Sequence, residues 1–434
     1  MKPYLKVPLI IAMFAGTLAA CGGGGSSGSS STPAASGASG SAASGEKKVI
    51  KVLQLKREII DPLKKMGEDF TKEHPNIELE FMVAGDDYDT ALKAAFASGN
   101  EPDVFMSNGD AHAVLWQDKY LDLSGEPWMA NMAEGSKPSI TIDGNIYGMA
   151  VNIEGFGFIY NKDLFTKAGI TETPKTLSEL EEVAKKLKEA GITPFVNFHQ
   201  EPWMTGKHGL NAFYARQADP EQWVKDVIAG AAKFEGDPVG IGYLNLIDLM
   251  IEYGQPNSLT TDVNTAQAEF AAGNAAIIQQ GNWIQPVLDK MTPDMKLGMF
   301  PMPISDDAEQ NKDLFAFAGN YWVINKNSKV IDEAKILLDW MVNSETGQKY
   351  IVEVFKFVPA FKNIEFSVEQ LGPLAGDLSE FSNQGLTKGR YYNMMPPGSD
   401  AEFGAVFQRY IAKQMSQEDT LKKLDEALSK LTNK

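Results

Sequence analysis

Two short stretches set a tryptophan beside a hydrogen-bonding side chain, Glu201 with Trp203 and Asn282 with Trp283, and Asp110 has Trp116 nearby. An aromatic face packs on C–H surface, while carboxylates and amides make directional hydrogen bonds. That pairing suits a sugar ring, which is apolar on its faces and hydroxyl-lined at its edges. A single tryptophan is more often an ordinary core residue. Trp203 and Trp283 are singled out because each follows the end of an expected strand. Glu154 is a further acid, set beside Gly155 and Gly157. Glu154 and Glu201 could instead serve as the carboxylate pair of a glycoside hydrolase. Sequence separation says nothing of their distance in space, so that reading stands as the alternative.

Other chemistries find no support. The chain lacks a phosphate-cradling Gly-x-x-x-x-Gly-Lys-Ser/Thr, and Gly155-Phe156-Gly157 lacks the later glycine of a dinucleotide site. His74, His112, His199 and His208 do not have metal-ligand spacing, and the one cysteine, Cys21, falls outside the expected domain. No Gly-x-Ser-x-Gly elbow occurs in the expected domain. Neither a cofactor nor a metal is therefore expected. A net charge of −17 argues against nucleic acid, whose binding relies on Lys and Arg neutralising phosphates.

Cys21 belongs to the N-terminus. Lys2 and Lys6 precede an apolar run, Val7–Ala20, that ends in Leu18-Ala19-Ala20-Cys21. Basic residues, a short apolar core and small residues at its end make a secretory signal. Leu-Ala-Ala-Cys resembles the bacterial lipobox, which implies a lipidated Cys21 and removal of residues 1–20. Residues 22–45 are almost entirely Gly, Ser and Ala, a composition that cannot bury enough apolar surface to order itself. The expected arrangement is a domain tethered to a membrane by a lipid.

The elements that must position the candidate residues follow from periodicity. Val49–Leu55 reads as a strand. Asp61-Pro62 then offers an N-cap and a first-turn proline, and Leu63, Met66 and Phe70 follow at helical spacing until Pro75. Ile77, Leu79, Phe81 and Val83 alternate as a strand, Tyr88–Ser98 is helical, and Pro102–Met106 supplies a third strand. Strand–helix–strand–helix–strand predicts a parallel sheet with right-handed crossovers. Ligands of open α/β sheets sit beyond the carboxyl ends of the strands. That rule nominates Lys56 and Arg57, then Asp87, then Asn108 and Asp110. A second α/β unit begins with the helix Pro174–Ala190, where Thr176 and Glu179 form a capping box. Strands Thr193–Phe198 and Ala275–Gln279 deliver Glu201 with Trp203, and Trp283. Asn320 opens a strand that runs to Asn325 and completes the set. Between the two units lie the extended runs Ile146–Asn152 and Phe156–Tyr160. Their place predicts a crossing over 150–157, with Gly155 and Gly157 as flexible points and Glu154 at the floor of a cleft.

Gly-Asn-Ile-Tyr-Gly at 144–148, Phe-Ile-Tyr-Asn-Lys-Asp-Leu-Phe-Thr-Lys-Ala-Gly-Ile at 158–170, Pro-Lys-Thr-Leu-Ser-Glu-Leu at 174–180 and Gly-Asn-Trp at 281–283 resemble the extracellular solute-binding proteins of ABC importers. The cluster is the carbohydrate-binding one that includes the maltose-binding protein. The resemblance implies an α/β, two-lobed, periplasmic-binding-protein-like fold of type II, with crossing strands between the lobes. It places 47–152 and 302–343 in one lobe and 153–301 and 344–434 in the other, after a signal peptide over 1–20 and a lipidated linker over 21–46. It implies sugar contacts from Glu154, Glu201 and Asp110, stacking by Trp203 and Trp283, and polar contacts from Lys56 and Arg57. Ser107 and Ala111 stand where the maltodextrin binders carry an aromatic residue and an arginine. A late C-terminal stacking tryptophan has no counterpart, leaving Phe403 or Tyr391 to complete the stack. The implied function is that of a monomeric, lipid-anchored receptor on the extracellular face of the cell membrane. It would bind an oligosaccharide and pass it to an importer permease, and it would not be an enzyme.

Overall fold

The computed structural model describes residues 47–84 and 88–432, and of Arg57 and Val83 only the backbone. The expected signal peptide, the linker with Cys21, and Asp87 lie outside the described residues.

The N-terminal periodicities form the elements they predict. Strand β1 (Lys48–Gln54) leads through α1 (Ile60–Glu73) to β2 (Ile77–Val83), and α2 (Tyr88–Ala97) leads to β3 (Val104–Ser107). Both β2 and β3 pair with β1 in parallel. Next come α3 (Asp110–Trp116), the paired strands β4 (Thr141–Ile142) and β5 (Asn145–Ile146), and β6 (Met149–Ala150). After β7 (Ile153–Asn161), α4 (Lys162–Lys167), α5 (Leu177–Glu189) and β8 (Thr193–Val196), the chain supplies β9 (Ala275–Gly281), β10 (Leu297–Phe300), β11 (Leu314–Ala318), β12 (Tyr321–Ile324) and β13 (Thr387–Lys388).

Two sheets result. One is five-stranded in the order β2-β1-β3-β12-β6, its last two strands antiparallel to their neighbours. The other is six-stranded and built on β7, which pairs with β9 along one edge and with β10 and β11 along the other. Parallel β8 and β13 extend it outward. Two neighbouring passages carry the chain between the sheets, at 151–152 and at 319–320, and a third lies between β12 and β13. The first two lie side by side: Val151 N donates to the Asn320 carbonyl at 2.8 Å and Gly319 N to the Asn152 carbonyl at 3.0 Å.

This corrects the expected flexible crossing over 150–157. Glu154, Gly155 and Gly157 belong to β7, a strand paired on both edges and buried along most of its length. Its glycines serve close packing. A Cβ on Gly157 would lie 2.5 Å from the Phe300 carbonyl oxygen, and one on Gly155 would overlap the Leu378 side chain. The mixture of acid and glycine breaks the apolar run, which is why in sequence the strand reads as starting only at Phe156.

Each sheet has its own apolar core, and the cores divide the chain differently from the expected lobes at two places. Met302, Ile304 and Leu314 pack in the second core, with the β7 sheet, and not in the first. Tyr350, Phe355, Phe361, Ile364 and Leu378 pack in the first core, against the β1 sheet. Strands β10 and β11 follow β7 because they pair with it, and pairing between distant segments leaves no trace in local periodicity. Residues 359–400 read in sequence as turn-rich, yet the structure forms the helices Val368–Leu371 and Pro373–Asn383 there.

The α5 cap also departs in detail. Thr176 accepts from Glu179 N at 3.1 Å, but the Glu179 carboxylate accepts from Lys175 N at 2.7 Å rather than from Thr176. The helix begins at Leu177, and Leu180, Val183, Ala184 and Leu187 form its buried face.

Candidate functional site

The strand ends of the β1 sheet meet the start of β7 through charge. Lys56, just past β1, is buried, and its Nζ pairs with Glu154 and lies 3.6 Å from Glu58. It also sits 5.4 Å from the centre of the Phe357 ring. Asn152 Nδ2 donates to Glu154 at 3.3 Å, and a Cβ on Gly319 would overlap the Glu154 carboxylate. Four separate segments thus close around one ion pair. Burial alone would lower the Lys56 pKa, but the charges of Glu154 and Glu58 outweigh it and the net shift is upward. Burial raises Glu58, with Lys56 opposing. One Glu154 oxygen is therefore already occupied by the protein.

Asn108, past β3, joins the two sheets. Its carbonyl accepts from Arg390 Nη2 and from Asn393 Nδ2, each at 2.6 Å, and its side-chain oxygen accepts from Asn320 Nδ2 at 2.8 Å. Arg390 Nη1 donates to the Gly319 carbonyl at 2.5 Å, and the guanidinium lies 4.6 Å from the centre of the Phe317 ring. Asp110 opens α3 in the left-handed region, at φ 50°. Burial raises its carboxyl pKa and Arg390 opposes the shift. Arg390 is absent from the predicted set. It stands in the turn-rich tract, and its only signal is a charged residue beside Tyr391-Tyr392.

The two nominated tryptophans converge. Trp203 Nε1 donates to Glu201 Oε2 at 3.2 Å, and Glu201 Oε1 accepts from Val263 N at 3.4 Å. Trp283 Nε1 donates to Gln280 Oε1 at 2.8 Å, and its ring folds back over Gly281, where a Cβ would overlap it. Both rings meet His208, at centroid distances of 5.1 Å for Trp203 and 5.3 Å for Trp283. Phe156 and Tyr392 complete the corner at 4.9 and 5.5 Å from His208. Asn282 takes no part in stacking: its Oδ1 accepts from Gly155 N at 2.9 Å and pins β7 to the end of β9.

Several buried polar atoms along this floor have no hydrogen-bond partner among the described residues: Asn152 Oδ1, Gln280 Nε2, Asn282 Nδ2 and Arg390 Nε. Such orphans are costly in a core and are the groups that a ligand or ordered water satisfies.

Three nominated residues lie elsewhere. Trp116 is buried against Phe96 at 5.3 Å, so it does not serve Asp110 as a stacking face. Phe403 is fully buried and packs edge-on against Phe234 at 5.6 Å, in the helix Ser399–Ile411. Tyr391 packs on the second core with its backbone N bound to Asn211, and it is the next residue, Tyr392, that enters the aromatic corner. Residue spacing alone does not say which of two adjacent tyrosines faces inward. Surface hollows of about 530 Å³, beside His74 and Trp340, and about 450 Å³, beside Pro174 and Glu182, contain none of these residues.

Residues 57–348 match the family described as bacterial extracellular solute-binding protein. The chain belongs to that family. It is a binding protein and not an enzyme, and the carboxylate-pair reading of Glu154 and Glu201 falls with that. The multiple sugar-binding protein of Streptococcus mutans is 24% identical over 371 residues, covering 81% of each chain. The melibiose/raffinose/stachyose-binding protein MelE of Bacillus subtilis is 20% identical over 390 residues, covering 86% of each. The solved structure of RafE in complex with raffinose superposes with a TM-score of 0.77 at 21% identity, over 88% of this chain and 99% of that one. This likeness establishes the two-lobed type II fold.

Proposed function

We propose that this solute-binding protein captures an oligosaccharide between its two sheets and delivers it to the permease of an ABC importer. The observation that carries the reading is the aromatic corner. Trp203 and Trp283, 80 positions apart in sequence (283 minus 203), converge beside a floor of amides and charges in which Asn152 Oδ1, Gln280 Nε2, Asn282 Nδ2 and Arg390 Nε lack partners among the described residues. Stacking faces next to fixed hydrogen-bonding groups match the two surfaces of a sugar ring. The names of the curated relatives, which describe binding of multiple sugars and of melibiose, raffinose and stachyose, support the same class. Lys56, Asn108, Asp110, Glu154, Glu201 and Asn320 supply the polar edge, and sequence position nominates Arg57 and Asp87 alongside them. Ligand shifts the balance between lobe positions through its stronger binding to one of them. Lipidation of Cys21 holds the receptor at the outer face of the membrane, a reading that rests on the Leu-Ala-Ala-Cys sequence.

The test is calorimetry and thermal melting against melibiose, raffinose, stachyose and maltose. Saturable binding without release of reducing sugar is expected for at least one, with stabilisation of about 2.7 kcal/mol at 100 times the dissociation constant. Trp283→Ala should weaken that binding about tenfold or more, in line with about 0.5–1.5 kcal/mol of stacking plus the lost apolar area. If no sugar binds, or the variant binds as tightly as the wild type, the assignment fails. For the anchor, Cys21→Ala should move the protein from the membrane fraction to the soluble one, and an unchanged distribution would remove it.

A further inference from the structure

His208 occupies the centre of the aromatic corner. Its ring stacks on Phe156 at 22° between planes, and Trp203, Trp283 and Tyr392 surround it at 5.1, 5.3 and 5.5 Å. Neither ring nitrogen hydrogen-bonds a described residue, and the side chain is only partly buried. A merely structural histidine at such a place usually finds a partner for at least one nitrogen.

The local backbone fixes where the ring points. His208 lies in a short π-helical segment, Met204–Gly209, a distortion that recurs at functional sites. Tyr243 Oη donates to the Thr205 carbonyl at 2.8 Å, and Gly206 lies so close to Asp400 and Gly404 that a Cβ would overlap their backbone. The segment cannot slide without breaking these contacts. Burial, followed by the charges of Lys207, Arg390 and Lys56, holds the imidazole well below its usual pKa. It is therefore neutral at physiological pH, with one nitrogen a donor and the other an acceptor.

We propose that His208 is a specificity-determining residue of the binding site, in which its imidazole hydrogen-bonds a hydroxyl of the sugar unit that packs in the aromatic corner. The rings of Phe156, Trp203, Trp283 and Tyr392 shield that contact and set the imidazole's angle. The corner thereby selects for a hydroxyl at a defined position, where stacking alone would accept any pyranose face. This inference rests on the carbohydrate reading above.

The experiment uses the best-binding oligosaccharide of the wild-type panel, with His208→Phe and His208→Gln. Phenylalanine keeps the ring and its packing and removes both hydrogen-bonding nitrogens, whereas glutamine keeps a donor and an acceptor. The expected result is about tenfold or greater weakening in His208→Phe with an unchanged melting temperature, and partial recovery in His208→Gln. Among single-deoxy analogues of the ligand, one should lose affinity for the wild type but none for His208→Phe, because the contact it lacks is already gone. Wild-type affinity in His208→Phe overturns the inference while leaving the carbohydrate reading intact. Equal loss in both variants together with a lowered melting temperature assigns His208 to packing and overturns it too. Failure of the wild type to bind any sugar removes the carbohydrate reading and this inference with it.

Discussion

At the scale of single residues, the Lys56–Glu154 pair has two roles that sequence alone runs together. Read as a cleft acid, Glu154 would be dispensable to the fold. In the structure its carboxylate holds a buried ammonium, and removing one partner of such a pair typically costs about 3–5 kcal/mol, because the other charge is left unpaired. Glu154→Ala should therefore lower the stability of the sugar-free protein as well as weaken binding. The combined change Lys56→Met with Glu154→Leu should recover most of the stability but not the affinity, since apolar groups of similar volume often replace a buried pair without loss. Urea unfolding without sugar reads the difference, and an unshifted midpoint in Glu154→Ala would show that the pair contributes nothing to the fold.

At the scale of elements, β7 is the member on which both the second sheet and the site depend. It presents Glu154 to Lys56 at one end and Phe156 to His208 just beyond, while pairing with three strands. Its glycines are sites of close approach, which orders two substitutions. Gly157→Ala drives a methyl group against the Phe300 backbone, which cannot move aside without disturbing β10, and should cost about 1–3 kcal/mol. Gly155→Ala meets the Leu378 side chain, which can change rotamer, and should cost less. Denaturant midpoints should fall in that order. Were both glycines flexible hinge points, neither methyl group would shift the midpoint appreciably.

At the scale of the whole molecule, acid sensitivity follows from histidines buried in neutral form. Burial pushes His199 down to about 3. In the unfolded chain it binds a proton below about pH 6.5. Between those values the unfolded state holds the extra proton, so stability rises with pH there and falls as pH drops from about 6.5 toward 3. His208 is shifted in the same direction and adds to the effect. His199→Leu should flatten this fall, by up to about 1.4 kcal/mol per pH unit across the window. Unfolding midpoints at pH 7.5 and pH 4.5 check it: an equal drop in wild type and variant would exclude His199 as a source.

Much of the fold was legible because it rests on local periodicity. Alternation of Ile77, Leu79 and Phe81, the spacing of Leu63, Met66 and Phe70, and the cap at Thr176 each fix an element within a residue or a few. Strand ends then nominated Lys56, Asn108 and Glu201, because the carboxyl edge of a parallel sheet is a consequence of element order. What sequence could not supply was pairing between distant segments. The placement of β10 and β11 on β7, the return of 350–378 to the first core, and the arrival of Arg390 at Asn108 depend on contacts across 70 or more positions (Asn108 to Arg390 is 282). No local pattern encodes them. The same holds for the direction a side chain faces. Trp203 and Trp283 were readable as a type of residue at a type of place, but only tertiary packing brought them together on His208 and chose Tyr392 over Tyr391 and Phe403.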